Sequence, residues 1–195
     1  MANKCIFLDR DGVLNVDRVD YVYRMQEFII PEGVVESLQA LKAAGYLLVV
    51  ITNQSGIAKG IYTREDVYLI HNALQEASGG MLDDLYFCPY HENYDSASLT
   101  RKPGSLLIEK AAAKYKVDMN ASWMVGDHER DIIAGTSAGL KTIRLAPSGS
   151  ETNATHLVPD LRAGGYLRGT LRRPLRHGAF VFQLRHTAAQ GFHFV

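Results

Sequence analysis

A short, uninterrupted apolar run near the start of the chain, Cys5-Ile6-Phe7-Leu8, constrains the fold most strongly. The run ends abruptly in the polar sequence Asp9-Arg10-Asp11-Gly12. A strand that is apolar at every position is typical of a parallel sheet covered on both faces, whereas a strand with one solvated face alternates apolar and polar residues. The run therefore predicts a first, central strand, with a polar segment just beyond its carboxyl end.

The chain up to residue 145 alternates apolar runs with amphipathic segments. Further strands are predicted at 46–51, 85–88, 123–125 and 141–145, and helices after Pro31-Glu32-Gly33, after the capping box of Thr63 and Asp66, and near 105–115 and 129–138. Alternation of this kind implies parallel strands joined by right-handed crossovers. We expect an α/β fold with a doubly wound, mainly parallel, Rossmann-like sheet, helices on both faces and no large cap domain.

Composition narrows the possible partners. The 195 residues are 47% hydrophobic, and 21 basic side chains balance 21 acidic ones, so no overall charge favours nucleic acid or a membrane. Cys5 and Cys88 cannot build a disulfide framework, and no apolar stretch is long enough to cross a bilayer. We expect a cytoplasmic protein, a monomer or a small homo-oligomer, that acts on a small molecule.

The last part of the chain has a different composition. Residues 161–195 contain six arginines but no lysine and no acidic residue, and they show no helical or strand period. A basic arm for phosphate or nucleic acid is one interpretation, and a poorly ordered tail is the favoured one. We therefore predict one domain over residues 1–160 and a tail over 161–195.

Polar residues follow three of the predicted strands. Asp9 and Asp11 follow the first strand, Thr52-Asn53-Gln54-Ser55 the second, and Gly126-Asp127 the fourth. Ligands of open parallel sheets bind beyond the carboxyl ends of the strands, so these residues are expected to converge at one edge.

The acid pair predicts a metal site. In an extended backbone Asp9 and Asp11 face the same way while Arg10 points away. Two carboxylates so close repel each other, and a hard cation relieves that repulsion; with Asp127 as a third oxygen ligand, Mg²⁺ is the expected ion. Each aspartate alone could be a turn residue or a helix cap, but that interpretation does not explain all three at strand ends.

These residues resemble four ordered motifs of the haloacid dehalogenase superfamily. The motifs are Asp9-Arg10-Asp11-Gly12-Val13-Leu14-Asn15, Thr52-Asn53-Gln54-Ser55-Gly56, Arg101-Lys102-Pro103 and Gly126-Asp127-His128-Glu129-Arg130-Asp131. The first two motifs and the Arg-Lys-Pro step look closest to subfamily IIIA, the branch that contains heptose bisphosphate and histidinol phosphatases. The resemblance covers residues 6–145.

The resemblance implies a set of chemical roles. Asp9 would be the nucleophile that forms an aspartyl-phosphate, and Asp11 the general acid and base. Thr52 and Lys102 would hold the phosphoryl oxygens. Magnesium would be bound by Asp9, the main-chain carbonyl of Asp11 and Asp127. Asp131, one helical turn later, could brace the metal site or simply favour the positive start of a helix.

Further residues are candidates for contact with the substrate. They lie in the loops around the predicted site: Arg10, Asn15, Asp17, Asn53, Gln54, Ser55, Arg101 and His128. Arg101 is the better specificity candidate, because a guanidinium can hold a second phosphate or a carboxylate through two hydrogen bonds. His128 replaces a lysine that meets the distal phosphate in heptose bisphosphatases, which leaves the preference for a bisphosphate open.

The chain departs from its branch in one loop. The branch typically carries a zinc-binding Cys-Pro-His and Cys-x-Cys, but here the sequence reads Cys88-Pro89-Tyr90-His91 and Ser98-Leu99-Thr100. A structural zinc needs four ligands, so we expect no zinc. The resemblance implies a magnesium-dependent phosphatase of a small metabolite, with heptose 1,7-bisphosphate as best guess. Histidinol phosphate, a nucleic-acid 3'-phosphate and a non-catalytic binding module are the alternatives.

Overall fold

The computed structural model describes residues 2–161, and at its centre is a parallel sheet of six strands. The strands are β1 Cys5–Leu8, β2 Leu47–Asn53, β3 Asp84–Cys88, β4 Trp123–Gly126, β5 Lys141–Leu145 and β6 His156–Val158. They lie in the order β3-β2-β1-β4-β5-β6, and every neighbouring pair is parallel. The predicted α/β, Rossmann-like fold and the inner position of the first strand are confirmed.

Within residues 2–161, four α-helices connect the first five strands. They are α1 Val34–Ala43, α2 Arg64–Ser78, α3 Leu106–Tyr115 and α4 Glu129–Ser137. At the start of α2, the Thr63 hydroxyl accepts a hydrogen bond from the Asp66 N–H, and the Asp66 carboxylate accepts one from the Thr63 N–H at 2.8 Å. These bonds satisfy N–H groups that lack helical partners, so the predicted capping box is confirmed. Gly79 ends the helix at a φ of +72°.

The two faces of the sheet are both buried, as the continuous apolar run of β1 predicted. Ile6 and Leu8 point into one apolar cluster, and Cys5 and Phe7 into a second cluster on the other face. Leucines of α1 and α2 fill the first cluster, whereas α3 and α4 pack on the second. The sheet is therefore doubly wound, with helices on both faces.

The sixth strand is a strand that sequence analysis missed. β6 has three residues, of which only Val158 is buried, and the ring of His156 stacks on Trp123 with centroids 5.6 Å apart. Three residues are too few for an alternating pattern to be visible in a sequence.

The described chain ends at Leu161. Its side chain packs in the first apolar cluster, and its carbonyl accepts a hydrogen bond from the Ser37 hydroxyl at 2.8 Å. Residues 162–195, and with them nearly all of the predicted basic tail, lie outside the described residues. The domain boundary after residue 160 stays a prediction. Within residues 2–161, no helix is both long and apolar enough to span a bilayer.

The neighbouring strands β1, β2 and β4 end at the same edge of the sheet. Leu8, the last residue of β1, is in register with Val50 on one side and Val125 on the other. The N–H of Asp9 donates to the Val125 carbonyl at 2.9 Å, which places the first polar residue directly beside β4. This edge is where the predicted functional residues meet.

Candidate active site

A buried lysine joins two aspartates at the centre of this edge. The Nζ atom of Lys102 lies 2.9 Å from Asp9 Oδ2 and 2.7 Å from Asp131 Oδ1. It also donates a hydrogen bond to the Ile51 carbonyl in β2 at 2.7 Å. None of the three charged residues is more than 3% exposed. Three separate chain segments thus meet in one ion cluster with a single positive charge between two carboxyl groups.

The charges in this cluster influence one another strongly. Burial raises the pKa of Asp9 to about 7, although the Lys102 ammonium opposes that rise. Burial also acts upward on Asp131, but Lys102 outweighs it and holds the pKa of Asp131 below its ordinary value. Burial alone lowers the pKa of Lys102, yet the two carboxylates raise it above the ordinary value. Lys102 therefore stays cationic beside Asp9, with Asp131 as its counterion.

Asp11 lies in a tight turn that follows β1. The N–H of Asn15 donates to the Arg10 carbonyl at 3.1 Å, and Gly12 turns the chain with a φ of +80°. The turn brings the Arg10 guanidinium back onto Asp11, with Nη2 2.9 and 3.0 Å from the two carboxylate oxygens. The expectation that Arg10 points away from the acids is therefore wrong, because it assumed an extended backbone.

Arg10 supports the site from within the protein. Its side chain is 1% exposed and also donates to the Val22 carbonyl at 3.0 Å. Although Arg10 was a predicted substrate contact, the structure places its guanidinium against Asp11 and the loop after β1.

A glutamine joins Asp11 to Thr52. Gln54 Nε2 donates to Asp11 Oδ2 and to Thr52 Oγ1, both at 2.9 Å. Thr52 is fully buried, and Gln54 is nearly so. The structure thus brings together Asp9, Asp11, Thr52 and Lys102, the four side chains to which sequence analysis gave catalytic roles.

Asn53 holds the backbone of Lys102. Its side-chain amide accepts a hydrogen bond from the Lys102 N–H and donates one to the Lys102 carbonyl, each at 3.0 Å. Asn53 was a predicted substrate contact, but its amide is used to hold the Lys102 backbone. Ser55, another predicted substrate contact, is buried and lies beside Tyr21.

Asn15 and Asp17 follow the first motif. The Asn15 amide donates to Asp11 Oδ1 and to the Val16 carbonyl, both at 3.0 Å, and the residue is fully buried. Asp17 is exposed, and its carboxylate accepts a hydrogen bond from the Arg18 N–H at 2.8 Å. Partial burial raises the pKa of Asp17, and the nearby charges of Asp11 and Asp127 add to the rise. Of this pair, Asp17 is the one exposed to solvent.

Asp127 offers an unpaired carboxylate oxygen that could bind a hard cation. It packs so closely against Gly12 that a Cβ there would collide with its carboxylate. Within residues 2–161 no hydrogen-bond donor reaches its buried Oδ1, although buried polar atoms are normally paired. An oxygen ligand left free in this way, beside the turn at Gly12, fits the oxygen set that Mg²⁺ prefers.

His128 and Asp131 flank that carboxylate. The ligand atoms of Asp127, His128 and Asp131 all lie within 4.8 Å of one another. Asp131, however, pairs with Lys102 through Oδ1 and accepts the His128 N–H through Oδ2 at 3.0 Å. It therefore caps α4 and braces Lys102. A hydrogen bond to Asp127 raises the pKa of His128, with Nδ1 2.8 Å from Asp127 Oδ2, while burial opposes the rise.

An open cavity of about 550 Å³ adjoins Lys102. Arg101 lines it together with Glu92, Ser98 and Arg130. Arg101 Nη1 is buried and has no hydrogen-bond partner among the described residues, so it is available for an anion. Sequence analysis missed Arg130, because an exposed arginine in the first turn of a helix looks like ordinary surface charge.

The loop that carries zinc in the related branch is held here by hydrogen bonds. Thr100 Oγ1 donates to Cys88 Sγ at 3.2 Å and lies 2.7 Å from Ser98 Oγ. His91 Nδ1 accepts the Asn93 N–H at 3.2 Å. Hydroxyl groups thus occupy the two positions where the branch has cysteines.

Comparison with known proteins agrees with this geometry. A family model described as "HAD-hyrolase-like" matches residues 99–164. The D-glycero-alpha-D-manno-heptose-1,7-bisphosphate 7-phosphatase of Burkholderia mallei is 39% identical over 153 residues, which are 74% of this chain and 80% of that protein. The beta-anomer enzyme of Pasteurella multocida is 42% identical over 154 residues, or 75% of this chain and 83% of that protein.

A solved structure supports the same relationship. The crystal structure of D,D-heptose 1,7-bisphosphate phosphatase from B. bronchiseptica, complexed with magnesium and phosphate, superposes with a TM-score of 0.76. It is 30% identical in sequence, and the match covers 86% of this chain and 99% of that chain. With its acidic, threonine and lysine residues at the strand ends, the present chain is a phosphatase of the haloacid dehalogenase superfamily and belongs to the family of these heptose bisphosphate phosphatases.

Proposed function

We propose that this enzyme removes the 7-phosphate from D-glycero-D-manno-heptose 1,7-bisphosphate through an aspartyl-phosphate on Asp9. The ion cluster in which Lys102 Nζ lies 2.9 Å from Asp9 Oδ2 carries the proposal. It places a cation beside the nucleophile at the sheet edge where Asp11 and Thr52 also lie. The relatives at 39% and 42% identity, which are named for this reaction, support the choice of substrate.

The first half of the reaction transfers the phosphoryl group to the protein. A carboxylate oxygen of Asp9 attacks phosphorus, and the bond from phosphorus to the sugar oxygen breaks. Asp11 gives its proton to the leaving oxygen, so the sugar departs as an alcohol. Lys102 and the Thr52 hydroxyl stabilise the charge that spreads over the phosphoryl oxygens.

The second half regenerates the enzyme. Asp11, now a carboxylate, takes a proton from water, whose oxygen attacks the phosphorus atom. The bond from phosphorus to the Asp9 oxygen breaks, which releases inorganic phosphate and restores the Asp9 carboxylate. Arg10, Asn15 and Gln54 hold the Asp11 carboxyl group in place for both steps.

Magnesium is the cofactor that fits this site. Asp9, the Asp11 main-chain carbonyl and the unpaired Oδ1 of Asp127 would hold it. When bound, the ion supplies positive charge against the phosphoryl oxygens and between the repelling carboxylates. Asp131 takes no direct part as a ligand in this proposal, since its oxygens hold Lys102 and the start of α4.

We propose further that the enzyme works without zinc. The hydrogen bonds among Ser98, Thr100 and Cys88 support this, because they join positions that carry zinc ligands in the related branch. Elemental analysis of protein purified without a metal-binding tag is expected to show less than about 0.1 zinc per chain, since four ligands are needed. Stoichiometric zinc that survives dialysis against a chelator would overturn this part of the proposal.

Phosphate release tests the proposed substrate. Wild type and Asp9→Asn are assayed with heptose 1,7-bisphosphate, histidinol phosphate and a 3'-phosphorylated oligonucleotide, each with and without Mg²⁺. We expect wild type to release phosphate at a high rate from the heptose bisphosphate alone, and only when Mg²⁺ is present. Asp9→Asn is expected to release almost none, because asparagine is a poor nucleophile. A higher kcat/KM for histidinol phosphate or the oligonucleotide would refute the proposed substrate.

A further inference from the structure

The amide of Gln54 uses its full hydrogen-bonding capacity inside the site. Its Nε2 donates to Asp11 and Thr52, while its Oε1 accepts from the Tyr62 hydroxyl at 2.7 Å and from Arg10 Nη2 at 3.3 Å. A side-chain amide has two N–H donors and two acceptor lone pairs. All four are occupied in a side chain that is 1% exposed.

Arg10 and Asp11 determine which way this amide faces, and the Tyr62 hydroxyl holds its oxygen in that orientation. A flipped amide would put its NH₂ group against the Arg10 guanidinium, which only donates, and its oxygen against the Asp11 carboxylate, so both of these hydrogen bonds would be lost. Burial raises the pKa of Tyr62, so its hydroxyl keeps the proton that it donates. Tyr62 therefore supplies, from outside the reacting groups, a hydrogen bond that holds the Gln54 oxygen in place.

The Tyr62 side chain is itself rigidly held. Its ring stacks on Tyr23 with centroids 5.3 Å apart and meets Tyr21 edge to face at 5.7 Å. The backbone of Gly56 lies against the same ring so closely that a Cβ would collide with it. This packing leaves the hydroxyl little freedom to move away from Gln54.

The orientation of Gln54 has a consequence for both of its partners. Because Thr52 Oγ1 accepts from Gln54, the single hydroxyl proton of Thr52 is free to point at a phosphoryl oxygen. Asp11 Oδ2 is held by the same NH₂ group, while Asn15 holds Asp11 Oδ1 from the other side. The Gln54 amide thus orients two groups at once. One is the Thr52 hydroxyl, which can donate a hydrogen bond to the phosphoryl group, and the other is the Asp11 carboxyl group.

We propose that Gln54 is a positioning residue for Asp11 and Thr52, and that Tyr62 acts on the reaction through Gln54. Neither residue needs to contact the substrate in this arrangement. The inference rests on the proposed aspartyl-phosphate mechanism, but it does not depend on which phosphomonoester is the substrate.

The test uses Tyr62→Phe in the full chain, with Tyr46→Phe as its control. Tyr46 is also a buried tyrosine, packed in the apolar cluster before β2 and away from the site. With p-nitrophenyl phosphate as substrate, Tyr62→Phe is expected to lower kcat by roughly 3- to 10-fold, the range for one lost hydrogen bond, with little change in KM. Tyr46→Phe is expected to stay within about twofold of wild type.

A double-variant cycle separates positioning from general loss of structure. Gln54→Met removes the amide at similar volume, and in that background Tyr62→Phe is expected to have no further effect on kcat. Multiplying effects, an unchanged kcat in Tyr62→Phe, or a rise in KM alone would overturn the inference. Failure of wild type on heptose bisphosphate would instead contradict the proposed substrate, while the kcat ratios on p-nitrophenyl phosphate still decide the role of Tyr62.

Discussion

The Lys102 ammonium lies 2.7 Å from the Asp131 carboxylate, and both side chains are completely buried. An isolated charge in that position would be strongly unfavourable, so each group depends on the other for its ionised state. Since Lys102 Nζ also lies 2.9 Å from Asp9 Oδ2, Asp131 keeps an ammonium group beside the proposed nucleophile. Asp131 therefore supports the charge of Lys102 without having to touch phosphate.

Removal of the Asp131 carboxylate is expected to lower the stability of the fold. Asp131→Ala leaves a buried lysine with half of its counter-charge, and breaking a buried pair costs about 3–5 kcal/mol in the free energy of unfolding. Urea denaturation followed by circular dichroism measures this loss. Lys114→Ala, which breaks the exposed ion pair with Asp84, serves as control and is expected to change stability little. Equal losses in the two variants would show that the buried pair has no special importance.

The position of the Lys102 backbone is expected to limit the rate. Asn53→Ala removes the two hydrogen bonds that hold the Lys102 N–H and carbonyl. At about 1 kcal/mol for each bond, kcat is expected to fall by roughly 10- to 30-fold, while KM changes less. Steady-state kinetics on the bisphosphate checks this. An unchanged kcat, or a loss confined to KM, would assign Asn53 to substrate binding instead.

Local patterns in the sequence account for the sheet and for much of the site. The apolar run that ends at Asp9, and the strand that ends before Asp127, place both acids at the same edge because parallel strands share a direction. What the sequence does not show is pairing between distant polar groups. Lys102 and Asp131 are separated by 29 positions (131 − 102), and Tyr62 meets Gln54 only after the loop between β2 and α2 folds. The direction of the Arg10 side chain was predicted wrongly for a related reason. The prediction assumed an extended backbone, whereas the chain turns at Gly12 and brings the guanidinium onto Asp11.

Arg101 is expected to distinguish a bisphosphate from a monophosphate. Its unpaired Nη1 and the cavity beside Lys102 suit a second anionic group of the substrate. Charge-assisted hydrogen bonds contribute about 1.5–3 kcal/mol, so Arg101→Met is expected to lower kcat/KM for heptose 1,7-bisphosphate by roughly 10- to 150-fold. The same variant should change kcat/KM for a heptose 7-monophosphate much less. Equal losses on both substrates would place Arg101 at the reacting phosphate rather than at a distal group.

His71 is expected to make the fold sensitive to mild acid. Burial lowers the pKa of His71, the charge of Arg10 adds to the effect, and its Nδ1 has no hydrogen-bond partner within residues 2–161. As the pH falls through the ordinary histidine pKa, about 6.5, the unfolded chain binds a proton that the folded state resists, so the free energy of unfolding decreases.

The variant His71→Gln isolates this contribution. Urea denaturation at about pH 7.5 and about pH 5.5 is expected to show a smaller loss of stability in the variant than in wild type, because the variant has no proton to bind at that position. Parallel pH profiles for the two proteins would mean that His71 titrates equally in both states.

Trapping the covalent intermediate tests the mechanism most directly. Wild-type enzyme is mixed with heptose 1,7-bisphosphate and Mg²⁺, quenched in acid during turnover and reduced with borohydride, which converts an aspartyl-phosphate to homoserine. Mass spectrometry of the peptide that contains residues 9 and 11 then locates the change. We predict homoserine at position 9 only, dependent on substrate. Full turnover with no modification at Asp9, or modification at Asp11 instead, would contradict the assignment of Asp9 as the nucleophile.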